Sequence, residues 1–196
     1  MKQSIDNESI KQLFTEARTH HSWKSEAISD EILRQIYELT KWGPTSLNSL
    51  PMRITFVRSA EQKEKLLPSL LGSNVEQVKA ASVTAIIAYD LKFFDELPKL
   101  FPVMDVRPMF QNNATLSQSS AFQNSSLQGG YFILAARALG LDVGPMAGFD
   151  NAKVDETFFK GTSWKSNFLC NLGYGDAAKL YPRGPRLEFA EACKIV

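Results

Sequence analysis

Two adjacent histidines, His20 and His21, are the only imidazoles in the 196-residue chain. Neighbouring residues cannot line one helical face, so this pair cannot ligate a metal as two histidines four apart on a helix do. A zinc site is not expected, and neither is a serine–histidine triad. The two cysteines, Cys170 and Cys193, belong to no C-x-x-C pair, which argues against a thiolate metal site or a disulfide framework. The chain contains no G-x-G-x-x-G, no G-x-x-x-x-G-K-[ST] and no G-x-S-x-G. The signatures of a Rossmann dinucleotide site, a P-loop and a hydrolase elbow are therefore missing. If the protein is an enzyme, its chemistry is carried by a bound cofactor, and the side chains position and polarise that cofactor.

Apolar residues make up 44% of the chain and aromatics 11%, with 13 Phe. That is enough for a single domain over residues 1–196 with a substantial core, and it argues against disorder. With 22 basic and 21 acidic residues the net charge is +1, so neither nucleic acid nor a membrane surface is an expected partner. The polar start MKQSIDNESI lacks the apolar core of a signal peptide, and the apolar run from Val83 to Tyr89 is too short to span a bilayer. A cytoplasmic location is expected.

The elements that would hold a site follow from periodicity. Helices are predicted over Ser9–Arg18 and Asp30–Trp42; the second carries Ile32, Leu33, Ile36, Tyr37 and Leu39 at helical spacing. Ser29 or Asp30 caps that helix and Gly43-Pro44 stops it. A strand over Arg53–Arg58 precedes a capping box at Ser59 and Gln62 and a helix toward Leu71. Ala81–Tyr89 reads as a buried strand. Residues 90–113, with Pro98, Pro102 and Pro108, read as irregular apart from one short helix near Leu91–Leu100. A long helix over Leu116–Leu139 ends at Gly140. Its polar first half, with Ser125, Ser126, Gly129 and Gly130, fits either a solvated face or close packing against another helix or a flat ligand. A strand at Leu141–Val143, a helix over Asp150–Phe159 and a strand over Asn167–Tyr174 complete the chain. Strands and helices do not alternate strictly, so the class is α+β.

Several segments resemble the flavin-binding segments of the nitroreductase family. The longest, Ala138 to Asp150, is similar to that family's A-L-G-L-x-x-x-P-x-x-G-F-D signature. Trp42 to Arg53 resembles its P-S-x-x-N-x-Q-P-W loop, with Leu50 and Met52 in place of Gln and Trp. Ala17 to Trp23, Asn74 to Ser82, Asn171 to Asp176 and Tyr181 to Arg186 extend the likeness over nearly the whole chain.

The resemblance implies a central mixed, mainly antiparallel sheet flanked by helices in an entwined homodimer, with FMN at the interface and NADH or NADPH as electron donor. It implies that Arg18, Thr19, His20, Arg183 and Arg186 hold the phosphate and ribityl chain, where the arginine fork matches phosphate oxygens. It implies polar flavin contacts from Asn74 and Gln77, and backbone contacts near the reactive ring nitrogen from Pro145, Met146, Ala147 and Gly148. Pro145 is expected to fix the turn there. Pro44, Thr45, Ser46 and Asn48 are expected to reach the flavin of the partner subunit. No side chain is expected to act as a catalytic acid, base or nucleophile.

Within the family the chain resembles the subfamily that includes the malonic semialdehyde reductase of bacterial uracil breakdown, through Lys41 to Ser46, Gly144-Pro145-Met146, Lys165-Ser166-Asn167 and Gly173 to Asp176. That likeness implies reduction of a small aldehyde acid to 3-hydroxypropionate. In the irregular stretch, Arg107 offers a cation for such a carboxylate and Phe110 an apolar wall; the alternative is a solvated arginine on a loop. A broad nitro or quinone reductase and a non-catalytic flavin-binding protein are the competing functions.

Overall fold

The computed structural model describes residues 3–196. Four strands make one sheet: β1 (Met52–Val57), β2 (Val83–Asp90), β3 (Asp142–Met146) and β4 (Trp164–Gly173). They lie in the order β1-β2-β4-β3 with every pair antiparallel. The expected mixed character shrinks to one parallel bridge, Thr19 to Val143, on the outer edge of β3. The helices are α1 (Asn7–Ile10), continued by a π turn over Lys11–Thr15, then α2 (Asp30–Thr40), α3 (Ala60–Leu66), α4 (Asn74–Ala80), α5 (Leu97–Leu100), α6 (Arg107–Gln111), α7 (Ala114–Ala138), α8 (Asn151–Phe158) and α9 (Phe189–Ala192).

β2 is buried along its full length, as a run of Val, Ile and Ala covered on both faces must be. Its side chains alternate. Val83, Ala85 and Ile87 face a core built with Ile36 of α2 and Phe132 of α7. Ile86 and Ala88 face a second core with Leu66, Val78 and Val154 from α3, α4 and α8. The sheet is thus sandwiched between two helical layers, and a smaller cluster of Phe93, Leu97 and Phe110 packs the 93–111 segment onto Tyr89 and Ala121.

The helix boundaries have local causes. The Ser29 hydroxyl accepts from the Ile32 N–H at 3.3 Å and starts α2. The Ser59 hydroxyl accepts from the Gln62 N–H at 3.3 Å and starts α3. Gly140, at φ 79°, follows the end of α7 in the left-handed conformation that glycine tolerates. The first helix stops short of its expected end at Arg18, which leaves Arg18 on extended chain. β3 runs on to Met146, three residues past its expected end. Residues 90–113 are more ordered than expected, because Phe93, Leu97 and Phe110 supply their own core and α6 forms around the last of these.

The polar half of α7 faces inward, and each buried polar group there has a partner. Ser117 donates to the Leu91 carbonyl at 2.9 Å and Ser125 to the Ala88 carbonyl at 3.1 Å. The Gln128 carbonyl oxygen accepts from the Met52 N–H at 3.0 Å, and the Asn124 carbonyl oxygen from the Ser46 N–H at 2.8 Å. These bonds satisfy backbone groups near the start of β1 and the end of β2, and one in the Pro44–Asn48 loop, that would otherwise be orphaned. One face of this half packs closely on the sheet through Ser125 and Gly129, while the other, with Ser126 and Gly130, is exposed. The outer face of α7 exposes Phe122, Leu127 and Tyr131.

Gln128→Leu keeps the bulk but strands the Met52 N–H in a buried position. Urea unfolding is expected to show a loss of about 1–3 kcal/mol; an unchanged midpoint and slope would show that this bond contributes nothing.

Candidate functional site

Segments 14–21 and 181–186 meet and form an open cavity of about 690 Å³. From the N-terminal side come Phe14, Thr15, Arg18, Thr19 and His21; from the C-terminal side come Tyr181, Arg183 and Arg186; Gln77 of α4 and Arg137 of α7 close it. Arg18 donates to the Tyr181 carbonyl. In return Arg183 donates to the Ala17 carbonyl at 3.3 Å. The His21 ring stacks on Tyr181 with centroids 4.1 Å apart and planes 11° from parallel. Arg186 donates to the Gly184 and Pro185 carbonyls at 3.0 and 2.9 Å. The lining contains four arginines and no carboxylate. Among the described residues none of these arginines forms an ion pair, whereas Arg53, Arg58 and Arg107 each do. Carbonyl partners orient a guanidinium without cancelling its charge, so the cavity suits a doubly charged anion such as a phosphate monoester.

Of the residues expected at the phosphate, Arg18, Thr19, Arg183 and Arg186 converge on this cavity, and Gln77 joins them. His20 does not line it. Its ring is buried on the far side of the strand edge, with Nε2 3.3 Å from the Asp142 carboxylate. Its backbone N–H donates to the Val143 carbonyl at 2.9 Å. A Cβ on Gly175 would lie 1.9 Å from His20 Nδ1, so the ring presses directly on that backbone. Asp142 also accepts the Gly175 N–H at 2.8 Å. His20 therefore hangs the Thr19–Trp23 segment on the ends of β3 and β4, and the expected phosphate contact through its side chain is corrected to this anchoring role.

The second group lies one helical turn away. Asn74 sits three residues before Gln77 on α4, a rise of about 4.5 Å. Its side-chain amide donates to the Gly148 carbonyl at 2.8 Å, which also accepts the Leu71 N–H at 3.0 Å. A Cβ on Gly148 would lie 2.7 Å from the Asn74 amide nitrogen, which explains glycine there. Asn74 holds the loop and Gln77 faces the cavity, so α4 links the two. Pro145 and Met146 are strand residues opposite Cys170 and Leu169. The expected turn at Pro145 is thus displaced to Ala147-Gly148, and proline is tolerated at 145 because β3 is an edge strand.

The Pro44–Asn48 loop is elsewhere on the same chain and contributes nothing to this cavity. Leu47, Asn48 and Leu50 have φ of 55°, 50° and 40°, a cluster of non-glycine residues in left-handed backbone. Two of its expected ligand groups are spent on its shape. Thr45 Oγ1 accepts the Leu50 N–H at 3.2 Å, and the Asn48 amide donates to the Leu100 carbonyl at 2.9 Å. Pro44 and Ser46 are exposed.

Arg107 is held by Asp105 through both carboxylate oxygens, at 2.8 and 2.7 Å, and the pairing keeps the Asp105 carboxyl down at about 2. Phe110 is buried with its ring 4.9 Å from that of Phe93, so it fastens α6 to the body and lines no open wall. Cys170 is fully buried, and burial pushes its thiol up to about 12, so it stays protonated in the core. A larger groove of about 840 Å³ between α2 and the start of α3 brings Arg34 and Arg58 together with Asp30, Glu31 and Glu38; it has no comparable surplus of positive charge. Sequence reasoning missed Arg137, His21 and Tyr181. Arg137 lies next to the Ala138–Asp150 segment, and only its burial on a helix end reveals its direction.

Fold and cavity together define an α+β protein whose two chain ends build an arginine-lined anion cavity beside a glycine-containing loop. A sequence profile of the nitroreductase family matches residues 14–174, and the chain belongs to that family. A Rhodopseudomonas palustris (strain TIE-1) protein, provisionally named an NADH dehydrogenase/NAD(P)H nitroreductase, is 52% identical over 196 residues, covering 100% of both chains. A nitroreductase-type structure from Exiguobacterium sibiricum, solved in complex with FMN, superposes with a TM-score of 0.83 at 24% identity and covers 100% of both chains. An NAD(P)H:FMN oxidoreductase-type structure from Staphylococcus epidermidis has a TM-score of 0.85 at 22% identity, covering 100% of this chain and 99% of its own. No helix of the described residues is long and apolar enough to cross a membrane.

Burial pushes the His20 imidazole below its usual 6.5, partly opposed by Asp142. The folded protein keeps His20 neutral where the unfolded chain already protonates it, so this contribution to stability is full above about pH 6.5 and is lost as pH falls. Urea titrations between about pH 7 and 5 are expected to show a smaller decline in His20→Asn than in the wild type; equal declines would show that the ring plays no part.

Proposed function

We propose that the chain is an FMN-dependent NAD(P)H oxidoreductase that works as a homodimer, each 1–196 unit forming one domain. The observation that carries this reading is the carboxylate-free cavity with Arg18, Arg183 and Arg186, joined through Gln77 and Asn74 of α4 to the Gly148 loop. A ligand with one phosphate and a polar chain leading to a flat ring fits that sequence of groups. Arg18, Thr19, Arg183 and Arg186 hold the phosphate, and Gln77 meets the polyol. Asn74 keeps the Pro145–Gly148 segment pressed toward the ring, where its backbone supplies donors. Bound FMN supplies hydride chemistry, accepting from NADH or NADPH and delivering to a small acceptor. Family membership and the 52% identical relative named for NAD(P)H chemistry support the same reading.

The homodimer is supported by what one protomer leaves open. Phe122, Leu127 and Tyr131 on α7, with Tyr37, Leu39 and Trp42, are large apolar residues exposed to solvent. The strained Pro44–Asn48 loop lies outside its own chain's anion cavity, so its exposed Pro44 and Ser46 are placed to serve the partner's site across an isologous interface.

Malonic semialdehyde is the acceptor we favour, with Arg107 taking the carboxylate after Asp105 releases it. A broad nitro or quinone reductase is the second reading, because Arg107 is already paired and Val103, Met104 and Met109 beside it are exposed and apolar.

The purified protein is expected to be yellow, to release FMN on denaturation, and to bleach under NADH or NADPH without oxygen. A colourless protein that takes up no added FMN would overturn the proposal, and a yellow protein that neither donor bleaches would reduce it to flavin binding. Arg107→Ala is expected to lower kcat/KM for malonic semialdehyde about thirtyfold, or about 2 kcal/mol, and to leave a neutral quinone unaffected. No change with either acceptor would favour the second reading.

A further inference from the structure

Arg137 lies in the last turn of α7 and belongs to no segment quoted for the family likeness. Its Nη1 donates to the Leu13 carbonyl at 2.9 Å, and its own carbonyl accepts from the Gln12 amide at 2.6 Å. These bonds fasten the π turn over Lys11–Thr15, which supplies Phe14 and Thr15 to the cavity wall. A π turn at such a place is a frequent mark of a functional site. The remaining Nε is buried and has no partner among the described residues. Arg137 also lines the cavity. Burial works against its charge, with distant help from Asp142 and no carboxylate in contact. A partly desolvated guanidinium with no counter-ion is a cost to the folded chain unless a ligand brings the counter-charge.

We propose that Arg137 is a fourth cation of the phosphate cavity, which binds the anionic end of the ligand while bracing the Leu13 carbonyl that shapes the cavity wall. This rests on the reading of the cavity as the FMN phosphate site. Arg18, Arg183 and Arg186 approach from the chain ends, on half-buried or exposed backbone. Arg137 comes from the rigid end of a 25-residue helix. It is thus the cation fixed to the sheet–helix core, and the place of the phosphate relative to α4 depends on it.

The test is fluorescence titration of the apo-protein with FMN and with riboflavin, which differ by the phosphate alone. The wild type is expected to prefer FMN. Arg137→Gln removes the charge and leaves an amide donor on a shorter side chain; it is expected to weaken FMN about tenfold or more and leave riboflavin unchanged. Arg137→Met, an unbranched side chain without charge, serves if the glutamine variant does not fold, and the same ratio is read. Equal weakening of both flavins, or no weakening of either, would leave Arg137 a structural brace and overturn the inference alone. A wild type that binds the two flavins equally would instead remove the phosphate from this cavity and overturn the underlying reading as well.

Discussion

The reciprocal pair of bonds from Arg18 to the Tyr181 carbonyl and from Arg183 to the Ala17 carbonyl is the interaction on which the site depends. It joins segments 163 residues apart in the chain. It is what joins the 181–186 wall to the Ala17–Thr19 wall, which is itself bridged to β3 through Thr19. Because the acceptors are carbonyls, the joint sets geometry and leaves the positive charge available. An arginine paired with a carboxylate, such as Arg53 with Asp90 at 2.8 Å, gives equal rigidity but no field for an anion. The structure uses carboxylate pairs for stability elsewhere and keeps them out of the cavity.

The same economy appears at the strand edge. β3 has no strand beyond it, and the Thr19–Trp23 segment covers part of that edge through Thr19, His20 and Trp23. His20 is the peg. Its ring fits only because Gly175 presents no side chain, and Asp142 serves both the ring and the Gly175 N–H. Arg18, two residues earlier, is thereby aimed from a fixed point on the sheet. The site on one side of this segment and the packing on the other are separate jobs done by adjacent residues.

How much of this is legible in the sequence depends on whether the cause is local. β2 is legible because burial on both faces leaves an unbroken apolar run, and α2 because its apolar positions recur at helical spacing. The convergence of Arg18, Arg183 and Arg186 and the place of the Gly148 loop are legible through the family likeness. The inward face of α7 is not, since Gln128 is polar by type and its partner, the Met52 N–H, is 76 residues away. His20 and Phe110 fail for a related reason. Each stands beside a residue of the expected kind, but a ring turns toward whichever space its backbone offers, and that space is set by Gly175 in one case and Phe93 in the other. Arg137 is hidden because helix-end arginines usually point to solvent, and the π turn that receives it has no sequence signature.

A cavity walled by segments 14–21 and 181–186, far apart in the chain, also has a place in time. During synthesis the sheet strands and α7 are all made before residues 181–186 leave the ribosome, and domains tend to organise as they emerge. Closing contacts of such long sequence separation is slow compared with forming helices or the β1–β2 pair. The anion cavity accordingly closes after the sheet and α7 can already have formed. A chain cut short before Arg183 would carry all four strands and α7 but would lack Arg183 and Arg186 on one wall of the anion cavity.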